Sequence, residues 1–384
     1  MSAQHWHWHH HNHFEMLVDS KQFYPAMLSA IRSARNYIFL EQYLISSGVV
    51  LKQFIDALLH AAHNGVEIFL LLDDYGAKGM SATDREKLTD MGIRLAFYNP
   101  FSWKQLHRSM RRNHRKLLLV DNHLAFVGGA CISDDYRFDS DRQKSWHDIV
   151  VRIQGEVVRD WYDVFTSTWQ QVTGTRISAE PVSTPHDSQQ PGRIAIAGGP
   201  GKNQIMRHAI AQIKKSKHLV WIATPYFVTT HKLRRVLKSA ARRGVDVRLL
   251  LPGELSDHTW VTHAARNFYT RLLKNKVRIY EYRHRFIHAK LIICDNWVSV
   301  GSSNLDRWNQ FWNLDANQEI RDATFAEQVK ELFNVDFEKS HPIQPEVWYQ
   351  RSYRQRIREW WFGHQVRLIQ WVSFFVARIN KKAD

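Results

Sequence analysis

Two stretches decide the architecture: NHRKLLLVDNHLAFVGG over residues 113–129 and IHAKLIICDNWVSVGSS over residues 287–303. Each runs His-x-Lys, four apolar residues, Asp-Asn, and a second apolar run closed by glycine. A short apolar run bounded by polar residues reads as a buried strand, and the Asp-Asn after it as a tight turn into a second strand. In an extended chain, side chains i and i+2 point the same way, so His114 shares a face with Lys116 and His288 with Lys290. A histidine beside a lysine at the end of a buried strand is costly without a partner, and a phosphate anion would supply one. One such short pattern is weak evidence. Two copies at matching places of an internal repeat are strong evidence.

The repeat extends outward on both sides. AIRSARNYIFLEQYL from Ala30 and AIAQIKKSKHLVWIATPYF from Ala209 each end a helical pattern in a β-rich apolar run. LKQFIDALLHAAHNGVEIFLLLDD and LRRVLKSAARRGVDVRLLLP follow, each a helix stopped at a glycine (Gly65, Gly244) and then an apolar strand. GIRLAFYNP and KVRIYEY read as further strands, and VVRDWYDVFTSTW and FAEQVKELFNVDF as closing helices. The order β-α-β-α-β-β-β-α occurs twice. It predicts an α/β fold of two pseudo-symmetric sandwich halves with the active site at their interface. The expected organisation is a His-rich flexible tail over 1–14, a first half over 15–172, a Thr, Ser, Pro, Gln and Gly-rich linker over 173–200, a second half over 201–340, and a basic aromatic segment over 341–384.

Two imidazoles facing across an interface suit double displacement at phosphorus. One attacks and becomes a phosphohistidine; the other protonates the leaving oxygen and then deprotonates the incoming alcohol or water. Lys116 and Lys290 would neutralise the phosphoryl oxygens, so no metal and no cofactor is required. The net charge of the 384-residue chain is +16, which calls for an anionic partner, a nucleic acid or an acidic membrane face. Two cysteines, Cys131 and Cys294, are too few for a disulfide framework and point to a reducing compartment. No apolar run of about 18 residues occurs, and the N-terminus lacks a signal-peptide pattern. A soluble or peripherally bound intracellular protein is expected.

The C-terminal stretch WWFGHQVRLIQWVSFFVARINKK puts Trp361, Leu368, Ile369, Val372, Phe375, Val376 and Ile379 on one helical face, with Arg367, Gln370, Arg378 and Lys381 opposite. That pattern describes a helix lying in a membrane interface, the alternative being a terminal helix that packs its apolar face on the catalytic domain. The basic run LHRSMRRNHRK before His114 would guide an anionic lipid or bind nucleic-acid phosphate. The cluster HWHWHHHNH could bind a transition metal but stands outside the repeat and is excluded from the site.

With its duplicated motif, the segment FYPAMLSAI, the RRNHRKLLLVD context, and GSSNLD with NLDAN beyond it, the chain resembles the phospholipase D superfamily over most of residues 15–340. Within it the chain is most similar to bacterial cardiolipin synthases of the shorter, non-transmembrane kind. The resemblance implies two α/β/α halves and a metal-independent site in the cleft between them. It also implies transphosphatidylation through a phosphohistidine, with His114 as nucleophile and His288 as acid/base. It adds Asn304 and Ser302 as phosphate ligands, and Asp148 and Asp315 as residues that orient the histidines. Asp121 and Asp295 complete the motif and are expected to support the turn through backbone N–H groups rather than move protons. Two departures stand out: Cys131 where the family commonly has Asn, and Asp315 where it more often has Glu.

The function implied is a phosphatidyltransferase making cardiolipin or a related anionic phospholipid, peripheral on the cytoplasmic face of the bacterial inner membrane. Its partners would be an anionic phospholipid membrane, a phospholipid donor and a lipid or polyol alcohol acceptor. No nucleic-acid module is recognised beyond charge, so nucleic acid is not expected as a partner. The alternatives are a hydrolytic phospholipase D, a phospholipase D-like nuclease, and a non-catalytic lipid-binding protein.

Overall fold

The sequence repeat is a repeat of topology. The computed structural model describes residues 6–102, 109–138, 145–179, 185–198, 203–306 and 312–357, together with 359, 361 and 365. The first half contributes β1 (Asn12–Val18), β2 (Tyr37–Gln42), β3 (Glu67–Asp73), β4 (Arg94–Tyr98), β5 (Arg112–Asn113), β6 (Leu117–Val120), β7 (Leu124–Gly128) and β8 (Ile149–Gly155). Seven of these form one sheet in the order β1-β8-β7-β6-β2-β3-β4. The second half contributes β9 (Gly192–Gly198), β10 (Leu219–Ala223), β11 (Asp246–Pro252), β12 (Arg278–Tyr282), β13 (Leu291–Cys294), β14 (Trp297–Gly301), β15 (Asn313–Arg321) and β16 (Ser340–Pro342). Its sheet runs β9-β15-β14-β13-β10-β11-β12, the same order, with β16 added beyond β12. β2, β3 and β4 are parallel, as are β10, β11 and β12, and helices make the crossovers. β5 leaves its own half and pairs in parallel with β15, Asn313 opposite Arg112 and Leu314 opposite Asn113.

Alternation in the motif strands builds the layers. Leu117 and Leu119 face a central core with Trp161 and Phe165 of helix Val158–Thr173, while Leu118 and Val120 face the outer helices. In the second half Leu291 and Ile293 face the same central core, and Ile292 and Cys294 the outer one. One apolar cluster therefore contains inner-face residues of both halves, including Phe39 and Leu119 from one and Trp221 and Phe333 from the other. Burial of each such side chain contributes roughly 1.5–3 kcal/mol.

Two boundaries differ from the sequence expectation. Asn12–Phe14 belong to β1 rather than to a flexible tail, and His9 exchanges both backbone hydrogen bonds with Gly192 at 2.8 Å. β9 falls inside the expected linker and pairs with β15 along its length. Both are edge strands whose alternating patterns are short and flanked by His, Asn, Pro and Gly, so composition hid them. Among the described residues no cluster of His, Cys, Asp and Glu is arranged to hold a metal, and no helix is long and apolar enough to cross a membrane. The amphipathic helix expected over 361–381 lies outside the described residues, apart from its first apolar member Trp361, which is exposed, and residue 365.

A buried ionic bridge ties the halves together. His147 places Nδ1 2.7 Å from Asp19 Oδ1 and Nε2 3.1 Å from Asp336 Oδ2, and Arg285 donates to the other oxygen of Asp19. Burial opposes a charge on His147, but Asp336 and Asp19 outweigh it and raise its pKa to about 10. Burial likewise opposes ionisation of Asp19, yet His147 and Arg285 bring it down to about 2. A base raised on folding stabilises fully below its unfolded pKa and loses that contribution as pH climbs through the folded value. The bridge should therefore weaken from about pH 6.5 to about pH 10. Denaturant unfolding of the parent and of His147→Gln at intervals between pH 6 and 10 tests this. The variant should be less stable at pH 7 and show a flatter decline; parallel curves would refute the bridge.

Candidate active site

Each motif histidine is docked on the other half. β5 carries the chain along β15, so His114 N–H donates to Leu314 O at 2.9 Å, and the next residue, Asp315, meets His114 Nδ1 at 2.9 Å. The mirror arrangement follows: His288 N–H donates to His147 O at 2.8 Å, and Asp148 Oδ2 lies 2.6 Å from His288 Nδ1. His-x-Lys itself precedes the ladder, which starts at Leu117 and Leu291. The lysines still lie with the histidines as the i, i+2 spacing requires. Lys116 Nζ donates to His114 O, and Lys290 Nζ sits 2.9 Å from His288 Nε2.

His114, Lys116, His288 and Asn304 line one cavity of ≈670 Å³ between the halves. Its walls are aromatic and aliphatic, with Tyr43, Leu44, Trp146, Tyr226, Val228 and Trp260 among them. Burial, then Lys116, lowers the His114 pKa to about 4 against the pull of Asp315. His288 is driven well below the ordinary imidazole value by burial, Lys290 and Lys116. Burial brings Lys290 down to about 8 and also lowers Lys116. At neutral pH both imidazoles are neutral, and Lys290 carries a charge. With Nδ1–H given to Asp315, His114 Nε2 keeps a lone pair for a bound electrophile. Such a site is poised for an anion with an electrophilic centre.

The carboxylates are not equivalent. Burial pushes Asp315 up, but His114, Lys116 and the Ser302 hydroxyl outweigh it, so it lies below its ordinary value. Asp148 is raised to about 6 by burial, against Lys290 and the N–H of Ile149. The counterpart of Ser302 in the first half is Gly129, which offers no hydroxyl. A Cβ there would lie 2.4 Å from Asp148 Oδ1, so only glycine lets the carboxylate in.

Ser302, expected as a phosphate ligand, donates its hydroxyl to Asp315 Oδ1 at 2.8 Å. Asn304 does line the cavity, and its buried Oδ1 has no hydrogen-bond partner among the described residues. Cys131, its counterpart, also lines the cavity. Asp121 and Asp295 stand at the far ends of β6 and β13. Asp121 accepts the N–H groups of Arg35, Asn36 and Tyr37 at 2.7–3.0 Å. Asp295 accepts those of Lys217, His218 and Leu219 at 2.9–3.0 Å. Both take positive φ (49° and 51°) at the turn and hold it to the start of the adjacent strand.

Three aromatic residues of the site escaped the sequence reading. Tyr136 Oη is 2.9 Å from His288 Nδ1, Tyr43 meets the His114 ring edge-on at 4.8 Å, and Trp146 lies 5.0 Å from the His288 ring. The one available signal was the repeat itself, which sets Tyr43 of EQYL against Tyr226 of TPYF.

A family model described as "Cardiolipin synthase, PLD-like domain" matches residues 27–169 and 209–337, one match in each half. The chain belongs to this cardiolipin synthase family of PLD-like proteins. It is 31% identical to the cardiolipin synthase of Alkalihalophilus pseudofirmus over 90% of this chain and 70% of that one. It is 34% identical to cardiolipin synthase B of Salmonella typhimurium over 83% of this chain and 78% of that one. Among solved structures, phosphatidylserine synthase of Haemophilus influenzae Rd KW20 superposes with a TM-score of 0.73 at 14% identity, covering 94% of both chains. Polyphosphate kinase of Porphyromonas gingivalis gives a TM-score of 0.59 at 13% identity over 87% of this chain and 49% of that one. At these identities the two structures share the fold.

In this PLD-like site the charges set a pH window. Asp148 takes up a proton below about pH 6, and Lys290 loses one above about pH 8. The kcat/KM for a chromogenic phosphodiester should therefore fall on both sides of that window. The activity left in Lys290→Arg should lack the alkaline fall. A parent profile flat from pH 6.5 to 10 would contradict this assignment.

Proposed function

We propose that the protein is a phosphatidyltransferase that makes cardiolipin or a related anionic phospholipid, passing a phosphatidyl group from one phospholipid to an alcohol of another molecule. The observation that carries this reading is the pair of imidazoles, each held by a carboxylate of the opposite half, lining one cavity with Lys116 and several aromatic side chains.

The donor phosphodiester enters between Lys116 and Lys290; its negative charge relieves the field that keeps His288 unprotonated, and His288 takes up a proton from solvent. His114 Nε2 attacks phosphorus and forms a P–N bond. The P–O bond to the donor headgroup breaks, and His288 gives that proton to the departing alkoxide. The acceptor alcohol then loses its proton to His288. Its oxygen attacks phosphorus, the P–N bond breaks, and His114 is regenerated. The inequality of the carboxylates supports this division. Asp315, supported by Ser302, stays ionised and balances the cationic phosphoimidazole on His114. Asp148, at about 6, lies closer to the proton affinity its imidazole needs for acid and base work.

Asn304 Oδ1 and the side-chain amide beside it offer a polar fix for the phosphate or the incoming hydroxyl on the second half. Leu44, Val228 and the aromatic walls exclude water, which favours an alcohol over water as acceptor. A hydrolytic phospholipase D would use the same residues and differ in the acceptor alone. The setting is the cytoplasmic face of a membrane, reached peripherally. The +16 charge supports attraction to anionic lipid.

Mass spectrometry of lipids after incubation with phosphatidylglycerol and phosphatidylethanolamine vesicles in EDTA tests the proposal. The parent should form cardiolipin, and His114→Ala and His288→Ala should each lose at least about a hundredfold in turnover. Phosphatidic acid as the main product would make water the acceptor. Ordinary turnover in both variants would sink the mechanism.

A further inference from the structure

Residues of the loops after the parallel strands β2 (Tyr43, Leu44), β10 (Tyr226, Val228) and β11 (His258, Trp260) line the cavity, and the loops after β3 and β4 adjoin the first of these. These loops carry much of the large apolar surface that the fold leaves in water. Tyr75, after β3, is 57% exposed, and Phe101, after β4, is 46% exposed. In the second half Leu255 and Trp260, after β11, are 38% and 43% exposed. Trp260 also lines the cavity, and so do Tyr43 beside the first lip and Val228 beside the second. Both lips of one cleft thus present large side chains outward, although either half could have placed polar residues there.

Next to the second lip stands helix His231–Arg242, three residues beyond the cavity-lining Val228. Its apolar stripe of Leu233, Val236, Leu237 and Ala240 is buried, while Lys232 and Arg235 are exposed and Lys238 partly so. Arg271 of the neighbouring helix is also exposed and close enough to join Arg235, Arg234 and Lys238 in depressing the His231 pKa. Among the described residues Lys232, Arg235, Lys238 and Arg271 form no ion pair with a carboxylate. The acidic groups of the same lip are Glu254 and Asp257, and Asp257 already accepts from the Tyr226 hydroxyl. A cationic helix face beside a ring of Tyr, Phe, Leu and Trp matches the two layers of an anionic membrane surface, charged headgroups over an apolar edge.

We propose that these lips and the basic face of helix His231–Arg242 dock the open cleft directly on an anionic bilayer, so that a phospholipid enters the cavity without crossing water. The inference rests on the phosphatidyltransferase reading for the identity of the occupant. It adds a contact surface distinct from the C-terminal segment. A nucleic acid would use the same cations, but the leucine and the paired apolar lips offer it little, whereas both fit acyl chains.

The test uses the full chain, with the C-terminal segment present throughout. Sedimentation with phosphatidylglycerol vesicles and with phosphatidylcholine vesicles is compared for the parent, Lys232→Glu/Arg235→Glu/Lys238→Glu, and Tyr75→Ser/Leu255→Ser. None of these five residues lines the cavity. Turnover of a short-chain phosphatidylglycerol kept below its micelle concentration is measured in parallel. Both variants should bind phosphatidylglycerol vesicles at least about tenfold more weakly, and keep turnover of the dispersed substrate within about twofold of the parent. Vesicle binding equal to the parent in both variants overturns the docking surface, and so does a parent that ignores anionic vesicles. Loss of single-stranded DNA binding with vesicle binding intact would also overturn it, in favour of nucleic acid. Weakened vesicle binding with no lipid turnover in any protein would leave the docking surface standing and remove the phosphatidyltransferase reading.

Discussion

Everything at the centre of this molecule depends on one exchange: each half supplies the carboxylate that holds the other half's histidine. Asp315 on β15 grips His114, and Asp148 before β8 grips His288. Neither half can assemble the site alone, because an imidazole without its carboxylate would be a buried donor with no acceptor. The rest of the architecture serves this exchange. β5 crosses to the second sheet to deliver His114, Gly129 leaves the space that Asp148 occupies, and Asp121 and Asp295 pin the motif turns from the other end. His147 bonds both carboxylates of its bridge with its ring and receives His288 with its carbonyl, so one residue ties the halves and places the histidine.

The charge pattern follows from burial. Two lysines and two histidines share a dry space, and solvation lost there must be replaced by something anionic. Deprotonating the imidazoles is the cheaper response to burial beside the lysines, which leaves them ready as bases. Lys290, at about 8, keeps its charge at neutral pH and can neutralise a phosphoryl oxygen. The near-symmetry of the halves makes the small differences informative. A serine in one half and a glycine in the other give two carboxylates of different basicity, and with them two histidines suited to different parts of one reaction.

How much of this was legible in the sequence varies with the range of the interaction. The motif strands, their apolar alternation and the helices between them are local patterns, and the repeat fixed their pairing. His114 with Lys116 and His288 with Lys290 were legible as pairs because the i, i+2 spacing places each pair together. β1 and β9 were not, because edge strands need few apolar residues and their flanks resemble loops. The crossed pairing of histidine and aspartate spans 201 and 140 residues and belongs to tertiary structure. The bond of the Ser302 hydroxyl to Asp315 on an adjacent strand is likewise something spacing cannot reveal. Tyr136 sits in a polar turn whose sequence gives no sign that it reaches a histidine.

The central claim is a single site in which His114 carries the phosphoryl group and His288 moves the proton. Trapping the covalent intermediate tests it most directly. A phosphodiester with a nitrophenol leaving group needs no acid to depart, so His288→Ala should still be phosphorylated and then stall for want of a base. Rapid quenching at neutral to alkaline pH and peptide mass spectrometry should find one adduct per chain, on His114, matched by one equivalent of released nitrophenol. An adduct on another residue, or release of nitrophenol with no adduct under conditions that preserve phosphohistidine, would contradict the account.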